Sequence, residues 1–269
     1  MTRPVPRHKS VYILPNLFTT ASLFAGFLGL LWASAGRYEA CALAILFSAL
    51  MDGLDGKVAR LTGTASEFGV QYDSLADLVA FGVTPAFLLF EFALNSYERL
   101  GMAACFLFTV CGALRLARFN VQASTANKRF FTGLPIPAGG CTLACLVLIA
   151  PKMPPMMQQG LSGICLFVTV SIAFLMVSQV RYASFKELGF MKAHPFRTMV
   201  IVIALFAVIA ANPKLFGSLG LFGYIISGLI YTFVTLPRLS KLANRAAQHQ
   251  ERQAEQKDVG HKEQNSENH

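Results

Sequence analysis

Long apolar runs separated by short polar breaks organise this chain. Eight runs stand out, at 14–35, 39–60, 69–94, 100–119, 136–151, 161–180, 197–212 and 218–236. Most approach the roughly 20 residues that a helix needs to cross the hydrocarbon core of a bilayer. The runs are continuous and do not alternate apolar with polar residues, so they predict helices rather than barrel strands. The expected fold is all-α: a polytopic membrane bundle of about eight transmembrane helices in one domain, residues 1–236. Residues 237–269 form a polar tail rich in Gln, Glu, Lys, Asn and Ala, which is expected to be solvated and flexible.

Composition agrees with this reading. Apolar residues make up 54% of the chain and charged residues 14%, against about a quarter charged in soluble domains. The first run has a basic start, and Ala33-Ser34-Ala35 resembles a cleavage site. Its apolar stretch exceeds the roughly 7–15 residues of a signal peptide, so it reads as a retained span. The six cysteines lie in apolar segments without a CxxC pair and read as small hydrophobes.

Charge adds an orientation. With the N-terminus inside, only Arg37, Arg99, Lys152 and Lys214, among 23 lysines and arginines, fall in outer loops. Such asymmetry predicts that both termini are cytoplasmic. The formal charge of +9 therefore reflects topology and attraction to anionic lipid rather than nucleic-acid binding.

Candidate chemistry concentrates at one place. The chain has five aspartates, of which Asp52, Asp55, Asp73 and Asp77 lie within apolar runs and the fifth in the tail. Intramembrane carboxylates are costly and mark function. Asp52 and Asp55 are spaced i,i+3 at the end of the second run, and Asp73 and Asp77 i,i+4 at the start of the third, so each pair shares a helix face. The short link makes the two helices antiparallel neighbours, and the four carboxylates are expected to converge near the cytoplasmic surface. Four such charges repel unless compensated. All-oxygen ligands suit two divalent cations, Mg²⁺ or Mn²⁺, in a site that handles phosphoryl groups. Gly53, Gly56 and Gly69 allow close approach of helix or ligand. Ala59 fits small-residue packing. Arg60, one turn beyond the aspartates, fits bidentate phosphate contact as well as membrane anchoring.

The spacing D-x2-D-G-x2-A-R-x8-G-x3-D-x3-D is filled by Asp52, Asp55, Gly56, Ala59, Arg60, Gly69, Asp73 and Asp77. It resembles the signature of the CDP-alcohol phosphatidyltransferase family. The resemblance implies a CDP-linked lipid donor held partly by Gly56, Ala59, Arg60 and Gly69, a divalent metal pair, release of CMP, and a membrane-embedded homodimer. It also implies that Asp52, Asp55 and Asp73 are chiefly metal ligands, with Asp77 both a ligand and the base.

Further segments bear on the acceptor alcohol. Pro15-Asn16-Leu17-Phe18-Thr19 resembles the start of phosphatidylserine synthases. Asn16 and Thr19 share a face and can bond the cytidine or its ribose, or serve capping and interhelix bonding. Arg115-Leu116-Ala117-Arg118-Phe119-Asn120, Phe131 to Ala138, and Tyr182-Ala183-Ser184-Phe185-Lys186 resemble corresponding segments of the same enzymes. Arg115, Arg118 and Lys186 are candidates for binding the acceptor carboxylate or donor phosphate, with positive-inside anchoring as the alternative for the arginines. Gly133 either shapes the acceptor pocket or starts the fifth helix.

The resemblance thus implies CDP-diacylglycerol and L-serine as substrates, with the active site on the cytoplasmic side of the cell membrane. Alternatives are a sister transferase using glycerol phosphate, inositol phosphate or choline and, from another class, a cation or proton transporter. Transport predicts acidic residues spread along a mid-membrane path, whereas these cluster at one end. No H-x-K-x4-D motif occurs, so the expected attack is direct rather than through a phosphohistidine.

Overall fold

The computed structural model describes residues 13–62, 66–122, 130–178, 180–183 and 223. The helices are α1 (Ile13–Ser34), α2 (Tyr38–Thr62), α3 (Glu67–Asp77), α4 (Thr84–Phe92), α5 (Glu98–Gln122), α6 (Ile136–Ile149), the short α7 (Pro155–Gln159) and α8 (Leu161–Val177). Three stretches, Asn16–Ser34, Glu67–Phe92 and Leu94–Val121, are long and apolar enough to cross a membrane. α2 has 25 residues but carries Glu39, Asp52, Asp55, Lys57 and Arg60, which lowers its apolar character. The runs at 197–212 and 218–236 and the polar tail lie outside the described residues, Gly223 excepted.

Among the described residues α1 is the main bridge: it packs extensively on α2 and also on α3 and α4. Cys41, Ile45, Phe81, Leu88, Leu89, Phe108 and Leu143 belong to the buried core.

The third run is not one continuous α-helix. Between α3 and α4 the residues Leu78–Val83 form a π-helical turn, a distortion that often accompanies functional sites. Small residues clamp it from both sides. A Cβ added to Gly26 of α1 would lie 2.9 Å from Ala80 Cα, and one added to Gly140 of α6 would lie 2.7 Å from the Phe81 carbonyl oxygen. The Thr84 hydroxyl reaches the carbonyls of Gly26 at 3.1 Å and Val79 at 2.9 Å, supplying a partner where the backbone ladder is irregular.

A second feature absent from the helical expectation is a two-stranded antiparallel ribbon. β1 (Phe130–Thr132) pairs with β2 (Arg181–Ala183), with Phe131 opposite Tyr182. It joins the approach to α6 with the exit from α8. All six cysteines are buried and unbridged, as small apolar residues.

Candidate active site

The site is built where the N-terminal part of α1, the C-terminal part of α2 and the whole of α3 meet. α3 begins at Ser66, whose extended backbone and side-chain oxygen form the N-cap, accepting a hydrogen bond from the Gly69 amide at 3.0 Å. This satisfies one of the donors left open at a helix start. The cap fixes the start of α3 and thereby places Asp73 and Asp77 on the helix. A Cβ at Gly69 would sit 3.1 Å from Ser66 Oγ, a tight contact, and 3.7 Å from Asn16 Oδ1, an ordinary one. α3 therefore closes on α1 at Asn16.

Carboxylate oxygens of Asp52, Asp55 and Asp73 lie within 4.8 Å of one another. Asp55 is buried, and Asp52 and Asp73 are half-buried. The Thr19 hydroxyl donates to Asp55 Oδ2 at 2.6 Å. That bond orients one carboxylate oxygen of Asp55. Asp77 is buried one turn beyond Asp73 and is close enough to interact electrostatically with Asp52, Asp73 and Asp55 and with the buried Arg115 of α5. Three converging carboxylates, with a fourth behind them and no histidine or thiol in the set, are a hard-oxygen donor group that fits Mg²⁺ or Mn²⁺. The buried hydroxyl already committed to Asp55 is the kind of outer partner that fixes ligand orientation.

Other expected site residues fall around this cluster. Asn16 is half-buried at the start of α1, next to Gly69. Gly56 is half-buried on α2, while Ala59 and Arg60 lie on the last turns of the same helix. Gly53 has open space where a side chain would project. Lys186 lies outside the described residues.

Three segments far apart in sequence meet beside the cluster. Arg118 donates to the Val177 carbonyl at 3.1 Å. The Gly133 amide donates to the Val180 carbonyl at 2.8 Å. Gly133 has φ of +83°, and any Cβ there would collide with the Met176 carbonyl oxygen and lie 3.0 Å from an Arg118 nitrogen, so this turn requires glycine. Arg118 and Gly133 thus hold the end of α8 against the ends of α5 and β1.

Sequence reasoning missed several supporting residues. The Asn120 amide donates to Gln71 Oε1 and Ser74 Oγ, both at 3.0 Å, tying α5 to α3 on either side of Asp73. Tyr72 and Thr20 share a hydrogen bond of 2.9 Å between their hydroxyls, tying α3 to α1. The N-capping serine was legible in principle, because Ser66 directly precedes the glutamate that opens α3. The side-chain pairs are long-range and carry no local signal.

Residues 12–177 match the model of the CDP-alcohol phosphatidyltransferase family. The chain belongs to that family. A CDP-diacylglycerol–serine O-phosphatidyltransferase of Helicobacter pylori is 33% identical over 237 residues, covering 88% of this chain and 98% of the relative. A protein of the same name from Mycobacterium leprae is 32% identical over 212 residues, 77% of this chain and 70% of the relative. An archaetidylserine synthase of Methanothermobacter thermautotrophicus is 34% identical over 182 residues, 67% of this chain and 73% of the relative. The family match contains the whole aspartate cluster as well as Asn16, Thr19, Arg115, Arg118 and Gly133.

Proposed function

We propose that this CDP-alcohol phosphatidyltransferase moves the phosphatidyl group of CDP-diacylglycerol onto the hydroxyl of L-serine, giving phosphatidylserine and CMP. The observation that carries the reading is the convergence of Asp52, Asp55 and Asp73 within 4.8 Å in a chain whose bacterial and archaeal relatives are named for serine products or substrates.

The four aspartates would hold two divalent cations, Mg²⁺ or Mn²⁺, and these would neutralise the diphosphate and polarise its oxygens. Thr19 keeps Asp55 in the orientation the site needs. Asn16, Gly56, Ala59, Arg60 and Gly69 line the place of the cytidine and diphosphate, the glycines by leaving room and Arg60 by its guanidinium. Asp77 accepts the proton of the serine hydroxyl. The serine oxygen attacks the lipid-side phosphorus in line, the bond from that phosphorus to the CMP oxygen breaks, and CMP departs with the electron pair. Positioning and preorganised charge supply most of the acceleration. Arg115, Arg118, Gly133 and Lys186 form the acceptor side. Arg115 offsets the negative charge around Asp77, and Arg118 with Gly133 shapes the wall next to α8.

In the membrane the chain forms eight spans with both termini cytoplasmic, works from the cytoplasmic side and assembles as a homodimer. The lysine and arginine distribution supports the orientation, and the family resemblance supports the dimer. The test of the acceptor is purified protein with CDP-diacylglycerol, Mg²⁺ or Mn²⁺, and a panel of labelled alcohols. CMP release and lipid labelling should require serine. Release driven by glycerol phosphate, inositol phosphate or choline in its place would overturn the acceptor assignment.

A further inference from the structure

The end of the bundle away from the aspartates carries a second polar–apolar site. A cavity of about 600 Å³ lies at the α1–α2 turn, bounded by Arg37, Tyr38, Glu39, Phe92, Val147 and Lys152. Arg37 is 15 residues from Asp52, so α2 separates the two sites by roughly 20 Å at about 1.5 Å per residue. A groove of about 470 Å³ between α1 and α2 continues from this cavity, sharing Ala40 and Leu43 with it. Phe24, Leu28, Trp32 and Phe47 are among the groove's apolar walls. It reaches from the turn to Phe24, 13 residues away, again roughly 20 Å and enough to cross one leaflet of a ~30 Å hydrocarbon core.

Charge is placed at the mouth. Arg37 and Lys152, two of the four basic residues expected on the outer side, meet at this one cavity. The Arg37 guanidinium stacks 5.7 Å above the Trp32 ring, which holds it where cavity and groove join. Glu39 occupies the first turn of α2, where its carboxylate complements the open amides of the helix start.

We propose that this cavity and groove bind one membrane phospholipid with an anionic headgroup, the phosphate between Arg37 and Lys152 and an acyl chain along Leu43, Trp32 and Phe24. Two cations at the head of a continuous apolar slot match a negatively charged amphiphile. A second protein copy would have to bury both cations against its own surface, which is costly without acidic partners. The lipid site is separate from catalysis and does not depend on which alcohol is the acceptor.

The chain contains one tryptophan, Trp32, and it lines the groove, so its fluorescence reports occupancy. The full-length protein is reconstituted in phosphatidylcholine with small fractions of phospholipid brominated on the acyl chain. Brominated phosphatidylglycerol should quench Trp32 at roughly tenfold lower mole fraction than brominated phosphatidylcholine, given two cations near the headgroup. Arg37→Gln with Lys152→Gln should abolish that preference while CMP release is unchanged. Lys152→Gln alone, which leaves the Arg37–Trp32 stack intact, should reduce it. Equal quenching by the two lipids in the natural chain, or a preference that survives in both variants, would overturn the proposal. So would a groove filled by a second copy, seen as cross-linking of Leu43→Cys without quenching by either lipid.

Discussion

Thr19 and Asp55, 36 residues apart, are joined by a buried 2.6 Å hydrogen bond from the Thr19 hydroxyl to Asp55 Oδ2. The bond fastens α1 to α2 at the level of the aspartate cluster and assigns one lone-pair direction of a proposed metal ligand. Removing it while keeping the shape should loosen the ligand rather than the fold. Thr19→Val is therefore expected to lower metal affinity or turnover by about 10–100-fold, the usual effect of losing an outer partner of a metal ligand. Thr19→Ser should retain most of both. CMP release measured against Mg²⁺ or Mn²⁺ concentration separates the cases, and a normal metal requirement in Thr19→Val would remove Thr19 from the site.

Asp77 differs from the other three in its assigned work. Asp77→Asn should turn over about 10²–10⁴-fold more slowly, the range for loss of a general base. Donor binding and single-turnover rate, measured on the same preparation, separate its two roles: loss of the base alone leaves CDP-diacylglycerol binding intact, and loss of the metal ligand weakens both. Direct attack also predicts that labelled CMP does not exchange into CDP-lipid in the absence of an alcohol. Robust exchange would require a covalent phosphatidyl-enzyme.

The clamp on the π-helical turn gives a stability prediction. In Gly140→Ala the new methyl would lie 2.7 Å from the Phe81 carbonyl oxygen and 2.9 Å from its Cα, so backbone must move. Overpacking of this kind costs about 1–3 kcal/mol. Thermal unfolding in detergent should shift down, and turnover should fall with it because the turn directly follows Asp77. Unchanged melting would show that the turn yields easily.

Orientation is testable with thiol reagents. The six native cysteines are buried, so a Lys257→Cys variant places a new reporter in the tail. A membrane-impermeant maleimide should label it only after the membrane is opened. Labelling in intact cells would contradict a cytoplasmic C-terminus.

The parts of this molecule that the sequence makes legible are those written in local periodicity. Continuous apolar runs gave α1, α2, α5, α6 and α8 within a few residues, and i,i+3 and i,i+4 spacing was enough to group Asp52 with Asp55 and Asp73 with Asp77. The π-helical turn was hidden because Leu78-Val79-Ala80-Phe81-Gly82-Val83 is as apolar as any α-helical span. Its register is set by packing against Gly26 and Gly140. The pairing of β1 with β2 joins residues some 50 positions apart, and its strands are too short to show alternation. Arg118 illustrates the same limit: spacing placed it beside Arg115, but only the fold reveals that its guanidinium holds the Val177 carbonyl.

The account stands or falls on whether the clustered carboxylates carry the transfer. The most direct measurement is CMP released and phosphatidylserine formed by purified Asp55→Ala, supplied with CDP-diacylglycerol, L-serine and Mg²⁺ or Mn²⁺, beside the natural chain. The natural chain should give the two products in equal amounts and only with a divalent cation. Asp55→Ala should lose nearly all of both while keeping its helical circular dichroism. Near-normal products from a folded Asp55→Ala protein would contradict the assignment of this cluster as the active site.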